Sequence, residues 1–137
     1  MQLKDLKELT EELDVLYIED DMFLREQNGE LLSQLFGRVV VTDDGFKALT
    51  IFKNRDFDLV ITDINIPTIN GINLIKKMKE INTSQSFIIT TVYTESELCE
   101  SIKELEIESF LTKPIQTKEL LFEIEKTVNK LCEVTCT

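Results

Sequence analysis

The sequence predicts a doubly wound α/β domain, in which a five-stranded parallel sheet carries helices on both faces. Five short apolar runs alternate with amphipathic stretches along the chain, which is the pattern of parallel strands joined by helices. The apolar runs are rich in Val, Ile and Phe and show little polar alternation, as expected for strands that are buried on both faces. The length of 137 residues, with 42% hydrophobic and 30% charged residues, suits a single domain with an ordinary core.

The elements follow from these runs in chain order. Strands are predicted at residues 15–18, 39–42, 57–62, 87–92 and 109–112. Amphipathic helices are predicted at residues 22–36, 46–54, 72–81, 95–105 and 118–132. Pro67 and the Asn70–Gly71 pair predict a turn after the third strand.

The two ends of the chain lie outside this alternation. Four leucines ahead of the first strand stand at helical spacing: Leu3, Leu6, Leu9 and Leu13. They predict a short helix that packs on its own domain, with a contact in a homodimer as the alternative. The resulting division is an N-terminal helical appendage at 1–13, the main domain at 14–132 and a tail at 133–137.

Composition excludes several classes of function. The chain has no histidine, which excludes Ser-His-Asp and Cys-His catalysis, histidine-ligated zinc and phosphorylation on histidine. Its net charge of −11 repels phosphate backbones and anionic lipid, so we expect neither nucleic acid nor a membrane surface as a partner.

The remaining composition predicts a cytoplasmic protein. Cys99, Cys132 and Cys136 are too few for the disulfide framework of a secreted domain, and they do not make a four-ligand zinc site. The first residues lack the apolar stretch of a signal peptide, and no apolar run approaches the roughly 18 residues of a membrane span.

Chemistry-bearing residues gather at the carboxyl ends of the predicted strands, where open parallel sheets bind their ligands. In strand order these residues are Glu19, Asp20 and Asp21, then Asp63, then Thr90 and Thr91, then Lys113. We expect them to converge on one edge of the sheet, which we call the carboxyl rim.

The acids of the carboxyl rim predict a metal site, with a solvated acidic patch as the alternative. Asp63 follows an apolar strand and therefore emerges from the centre of the sheet. Lys113 is the only cation expected nearby, so Glu19, Asp20 and Asp63 leave uncompensated negative charge. A hard divalent cation relieves that repulsion, and Mg²⁺ with one to three carboxylates and retained water is the best fit.

These motifs resemble those of a known family. They are E-D-D after the first strand, D-I-N-I-P-x-x-N-G after the third, T-T after the fourth and F-L-T-K-P at the fifth. Together, over residues 14–132, the set resembles the receiver domain of bacterial two-component response regulators. The resemblance implies a flavodoxin-like sheet in the order 2-1-3-4-5. It also implies that a sensor histidine kinase or phosphotransfer protein donates a phosphoryl group to one aspartate.

Site roles carry over from the resemblance residue by residue. Asp63 matches the phospho-acceptor. Glu19 and Asp20 match the acidic pair that binds Mg²⁺, and Asn65 matches the position whose backbone carbonyl completes the metal site. Asp21 is an extra acid, which we interpret as a helix cap, with a direct role as the alternative.

The resemblance also implies a switch. Lys113 matches the lysine that contacts the phosphoryl group, and Phe110 matches the aromatic switch position. Thr91 matches the switch hydroxyl, with Thr90 as the alternative. Val92 departs from the family pattern, since it stands where the family usually has a small residue, and we expect its branched side chain to affect the rate of phosphorylation rather than its occurrence.

The predicted function is therefore a phospho-accepting switch whose only catalysis is slow self-dephosphorylation, rather than an enzyme. Its output is a downstream protein or an output domain outside this sequence. One alternative is a degenerate receiver that binds partners without phosphorylation. A remoter one is a haloacid-dehalogenase-type phosphatase, which would need an acid where Asn65 stands.

Overall fold

A five-stranded parallel sheet with helices on both faces forms the centre of the computed structural model, which describes residues 3–93, 97, 100, 103–107 and 109–136. The strands are β1 (Asp14–Ile18), β2 (Arg38–Thr42), β3 (Leu59–Asp63), β4 (Ser86–Thr91) and β5 (Ser109–Thr112). The helices are α1 (Leu3–Thr10), α2 (Met22–Leu35), α3 (Gly45–Asn54), α4 (Gly71–Ile81) and α5 (Thr117–Cys136). Their order in the sheet, β2-β1-β3-β4-β5, confirms the predicted topology.

Two apolar clusters cover the two faces of the sheet. Residues of α3 and α4 pack on one face, which we call the α3/α4 face, around Ile18, Val60 and Ile89. Residues of α1, α2 and α5 pack on the opposite face, which we call the α2/α5 face. Because successive side chains of a strand point to opposite faces, each strand contributes to both clusters, which explains the continuous apolar runs in the sequence.

The boundaries of the elements differ slightly from prediction. β3 extends to Asp63, so this residue is the last of the strand rather than the first after it. β4 ends at Thr91, which leaves Val92 outside the strand and 62% exposed. α5 continues to Cys136, through most of the predicted tail, because backbone hydrogen bonding continues where the apolar pattern stops.

The helix predicted at residues 95–105 lies partly outside the described residues. Positions 97, 100 and 103–105 are helical. Cys99 is also outside them, as are the side chains of Cys132 and Cys136. No helix within the described part of the chain is long and apolar enough to cross a membrane.

The N-terminal helix α1 packs on its own domain. Leu6 is buried in the cluster of the α2/α5 face. The Thr10 hydroxyl donates a hydrogen bond of 2.6 Å to the carbonyl oxygen of Leu35 at the end of α2. At the same end of the sheet, the amide of Gly37 donates to the carbonyl of Leu13 over 3.0 Å. The predicted packing of this helix is thus what the structure shows.

Candidate functional site

Three carboxylates converge on the carboxyl rim, as the strand ends predict. Carboxylate oxygens of Glu19, Asp20 and Asp63 all lie within 4.8 Å of one another. Glu19 and Asp63 are buried at 1% and 4% exposure, whereas Asp20 is exposed to solvent. β1 and β3 are neighbours in the sheet, and for this reason acids 44 residues apart in the chain meet at the same point.

Lys113 joins this group from β5, on the far side of β4. Its ammonium group donates to Asp63 Oδ2 over 2.6 Å and to Glu19 Oε1 over 2.7 Å. The Lys113 amide donates to the carbonyl of Thr91 over 2.6 Å, which extends the pairing of β4 and β5 beyond Thr112. The backbone therefore aims this side chain across the rim towards the two buried acids.

Burial and mutual contact shift the pKa values of Glu19 and Lys113. Burial raises the pKa of Glu19, and the neighbouring Asp63 carboxylate acts in the same direction, against the opposing effect of Lys113. Burial alone would lower the pKa of Lys113, but its hydrogen bonds to Asp63 and Glu19 outweigh burial and raise it. At neutral pH the ammonium group is charged, and it neutralises part of the acidic cluster.

The Asp63 carboxylate is held at both oxygens. Oδ2 accepts from Lys113, and Oδ1 accepts from the backbone amide of Asn65 over 3.1 Å. The chain turns back sharply after Asn65. The Gly71 amide donates to the Ile64 carbonyl over 2.8 Å, and a Cβ atom on Gly71 would lie 2.4 Å from the carbonyl oxygen of Asp63. Only glycine fits there, which is the physical reason for the Asn70–Gly71 pair.

The two threonines at the end of β4 occupy different faces of the sheet. Thr91 lies two residues after Ile89 and is therefore on the α3/α4 face, where Phe110 packs, half-buried, on the neighbouring strand. Its Oγ1 accepts from the Tyr93 amide over 3.0 Å, a bond that does not use the hydroxyl's own hydrogen. Thr90 lies opposite Asp63 in the sheet register, and its buried hydroxyl has no hydrogen-bond partner among the described residues.

Sequence reasoning missed a second cation at the rim. Arg25, one turn into α2, donates from Nη1 to the carbonyl oxygens of Glu19 over 3.0 Å and of Asp20 over 3.2 Å. The expectation that Lys113 is the only cation there is thus wrong. The position of Arg25, one turn after the predicted helix cap, could have indicated this contact. Asp21 is indeed that cap, since its Oδ1 accepts from the Leu24 amide over 3.0 Å.

A buried phenol lies below the acidic cluster. Tyr17 of β1 is 2% exposed, and its hydroxyl accepts a hydrogen bond of 3.0 Å from the Asn28 side chain of α2. Burial raises the pKa of Tyr17, so this residue remains a neutral phenol at physiological pH. The acidic cluster therefore lies near a side chain that is polar but uncharged.

A groove of about 360 Å³ opens beside Lys113 and Glu19, between α2 and the segment that joins β5 to α5. Its other lining residues are mainly apolar or amides: Leu24, Gln27, Asn28, Val92, Pro114, Ile115 and Thr117. The rim is therefore accessible from this side to a group that reaches Lys113.

The fold and the site together define a doubly wound α/β protein with a carboxylate cluster and a lysine at the carboxyl ends of its strands. Residues 15–125 match the model of the response regulator receiver domain. The chain belongs to this family, the receiver domains of two-component response regulators. Membership of this family supports a phospho-accepting function in two-component signalling, and it confirms the resemblance seen in the sequence motifs.

Individual relatives agree with this assignment. A cyclic di-GMP phosphodiesterase of Thermotoga maritima is 31% identical over 80% of this chain, although the match spans only 29% of that longer protein. Sporulation initiation phosphotransferase F of Bacillus subtilis is 29% identical over 82% of this chain and 90% of its own. The non-phosphorylated HemR receiver domain of Leptospira biflexa superposes with a TM-score of 0.79 at 27% identity, and covers 85% of this chain and 94% of its own.

Proposed function

We propose that this chain is a phospho-accepting receiver in which Asp63 takes a phosphoryl group from a sensor histidine kinase or a phosphotransfer protein. The observation that carries the proposal is the position of Asp63. Its carboxylate ends the central strand β3, bonds to the Lys113 ammonium group at 2.6 Å and faces two further carboxylates. Among the described residues this is the one cluster of three or more metal-ligating side chains.

The chemistry requires little covalent help. A carboxylate oxygen of Asp63 attacks phosphorus, the O–P bond of an acyl phosphate forms, and the P–N bond of the donor's phosphoimidazole breaks. The electron pair of that bond remains on the leaving imidazole nitrogen, which takes up a proton. Because Asp63 is already a carboxylate, no general base is needed, and a chain without histidine can accept the group.

Lys113 and Thr91 stabilise the negative charge of the transferred phosphoryl group. The Lys113 ammonium group, which already lies against Asp63, binds one phosphoryl oxygen. The Thr91 hydroxyl donates to another, and Phe110, on the same face of the sheet, follows that movement as the switch residue. Thr91 is the better candidate of the two threonines, since it shares its face with Phe110 and Thr90 does not.

The donor set fits Mg²⁺. Glu19, Asp20 and Asp63 offer hard carboxylate oxygens. The backbone carbonyl of Asn65, which matches the metal position of the family, would add a neutral oxygen. When bound, Mg²⁺ supplies neutralisation of the negative charge that builds up on the phosphoryl oxygens. In its absence, the Lys113 ammonium group keeps the Asp63 and Glu19 carboxylates together.

The partners are proteins. The groove beside Lys113 and Glu19 opens the rim to a partner from the side of α2. A downstream protein or an attached output domain reads the phosphorylated state, and slow self-dephosphorylation resets it. The net charge of −11 argues against nucleic acid as a direct partner. We place the protein in the cytoplasm.

The test uses a small phosphodonor. With acetyl phosphate and Mg²⁺, we expect intact mass spectrometry to show one added phosphoryl group, which Asp63→Asn and chelation of the metal both abolish. Asp20→Ala should abolish Mg²⁺ binding, while Asp21→Ala, which removes only a helix cap, is the matched control and should weaken it little. Unchanged labelling of Asp63→Asn would contradict the assignment, and no labelling of the unmodified chain would favour the degenerate receiver.

A further inference from the structure

The loop that follows Asp63 is tied by a side-chain network to the start of α3. Thr68 in this loop has φ of +69°, a left-handed conformation that is unfavourable for a β-branched residue. Its hydroxyl donates to Asp44 Oδ1 over 3.0 Å and accepts from the Phe46 amide over 2.9 Å. These two hydrogen bonds, which we call the Asp44–Thr68 clasp, hold Thr68 in its strained conformation.

The backbones of the two segments also lie in direct contact. The Gly45 amide donates to the Pro67 carbonyl over 3.0 Å. A Cβ atom on Gly45 would stand 2.3 Å from the carbonyl oxygen of Ile69, so the approach is close enough to require glycine. This backbone contact fixes the distance between the loop and α3, and the clasp fixes the conformation of Thr68.

The same loop holds one oxygen of Asp63. Asn65, whose amide donates to Asp63 Oδ1, is three residues before Thr68. Between them are Ile66, which is buried, and Pro67, whose ring fixes its φ angle. Because these two residues are constrained, we expect a displacement of Thr68 to move Asn65 as well.

We propose that Thr68 and Asp44 are positioning residues of the Asp63 site, which act by holding the Asn65 backbone where its amide meets Asp63 and its carbonyl meets the divalent cation. The inference rests on the proposed function, because it assumes that Mg²⁺ binds at Glu19, Asp20, Asp63 and Asn65. It adds two residues that touch neither the cation nor the phosphoryl group.

Thr68 is the informative position for a test, because Asp44 has a second task. Asp44 Oδ1 also accepts from the Lys47 amide over 2.9 Å and so caps α3. The hydrogen bond from that amide, supported by the one from the Thr68 hydroxyl, holds the pKa of Asp44 below its usual value. A substitution of Asp44 would remove the cap and the clasp together.

Three substitutions of Thr68 separate the hydroxyl from the strain. Thr68→Val removes the hydroxyl and keeps the shape, and Thr68→Ser keeps the hydroxyl as the matched control. Thr68→Gly also removes the hydroxyl, but it relieves the left-handed strain and therefore secures a folded variant. The measurements are Mg²⁺ affinity by calorimetry, unfolding by urea without Mg²⁺, and the position of the Asn65 amide resonance.

We expect Thr68→Val and Thr68→Gly to weaken Mg²⁺ binding about tenfold, at the lower end of the range for residues that support metal ligands. Both should shift the Asn65 resonance, whereas Thr68→Ser should stay within about twofold of the unmodified affinity. Altered stability with unmodified Mg²⁺ affinity in both hydroxyl-free variants would overturn the inference and leave Thr68 a merely structural residue.

The failure of the proposed site looks different. If the unmodified chain binds no Mg²⁺, or if Asp20→Asn binds it as well as the unmodified chain, the metal site itself is wrong and the inference falls with it. If only the positioning role of Thr68 and Asp44 is wrong, Asp20→Asn will still weaken Mg²⁺ binding.

Discussion

Glu19 is a buried carboxylate whose ionisation works against folding. Since burial raises its pKa in the folded state, the charged form costs stability at every pH above the ordinary value of 4.5, and protonation removes that cost as the pH falls through the raised pKa. The buried charge of Glu19 therefore lowers the stability of the fold, and groups with such perturbed pKa values are common at functional sites.

Glu19→Gln should raise the stability of the metal-free protein at pH 7. The amide oxygen keeps an acceptor for Lys113, while the buried negative charge is lost. The gain should disappear at pH 4, where Glu19 is protonated in the folded and the unfolded protein alike. Urea unfolding at the two pH values measures this difference, and an equal gain at both would contradict the raised pKa. With Mg²⁺ present, the variant should gain less from the metal than the unmodified chain does.

Thr90 and Thr91 offer a second residue-scale prediction, because the Thr91 hydroxyl accepts a hydrogen bond and the Thr90 hydroxyl has no partner within the described part of the chain. Thr90→Val replaces an unpaired buried hydroxyl by a methyl group of similar shape, and we expect a gain of about 1 kcal/mol in the free energy of unfolding. Thr91→Val is the matched control. It leaves the Tyr93 amide without its acceptor and should cost about 1 kcal/mol. Urea unfolding of both variants measures these changes. A lower free energy of unfolding in Thr90→Val would show that the Thr90 hydroxyl has a hydrogen-bond partner.

At the scale of elements, α1 packs on the α2/α5 face although it precedes the first residue matched to the family. A helix of eight residues is too short to be stable alone in water, so its order comes from packing. Leu6 supplies the apolar contact, and Thr10 supplies a hydrogen bond to the end of α2.

Leu6→Ala should therefore lower the free energy of unfolding by about 2–5 kcal/mol, the usual range for Leu→Ala at a buried site. Leu3→Ala, on the same helix but 45% exposed, is the control and should change it by less than about 0.5 kcal/mol. Equal effects of the two substitutions would contradict the packing. The homodimer stays a separate prediction, tested by light scattering before and after deletion of residues 1–12.

At the scale of the whole molecule, Asp63 and the switch residue Phe110 lie on different strands, β3 and β5, and β4 lies between them. Thr91 reaches the carboxyl rim, and Phe110 packs beside β4 on the α3/α4 face. The Phe110 ring carries no hydroxyl, so it loses no hydrogen bond to solvent when it turns inward. The free-energy difference between the inward and the outward position of the ring should therefore be small.

Beryllofluoride, which mimics the phosphoryl group, should shift NMR resonances at the rim and also across residues 95–120, part of which lies outside the described residues. Thr91→Ala and Phe110→Ala should confine the shifts to the rim. Thr90→Val, on the opposite face, is the control and should leave their spread unchanged. Shifts confined to the rim in the unmodified chain would contradict this route.

The sequence by itself determined the sheet and the convergence of its acids. Alternation and apolar runs are local properties, and in a parallel sheet they place every strand's carboxyl end on one rim. For this reason the sequence alone predicts that Glu19, Asp63 and Lys113 lie together. The close fit of Gly71 to the Asp63 carbonyl likewise agrees with a turn that the Asn70–Gly71 pair predicts.

Only the tertiary structure decided which groups turn towards that rim. Arg25 reaches the acidic segment because of how α2 rotates about its axis, and Thr68 meets Asp44 across 24 positions of sequence. The faces of Thr90 and Thr91 depend on a strand register that one residue of slip would exchange. Helix rotation, contact between loops and strand register are set by packing over the whole domain, and no local pattern encodes them.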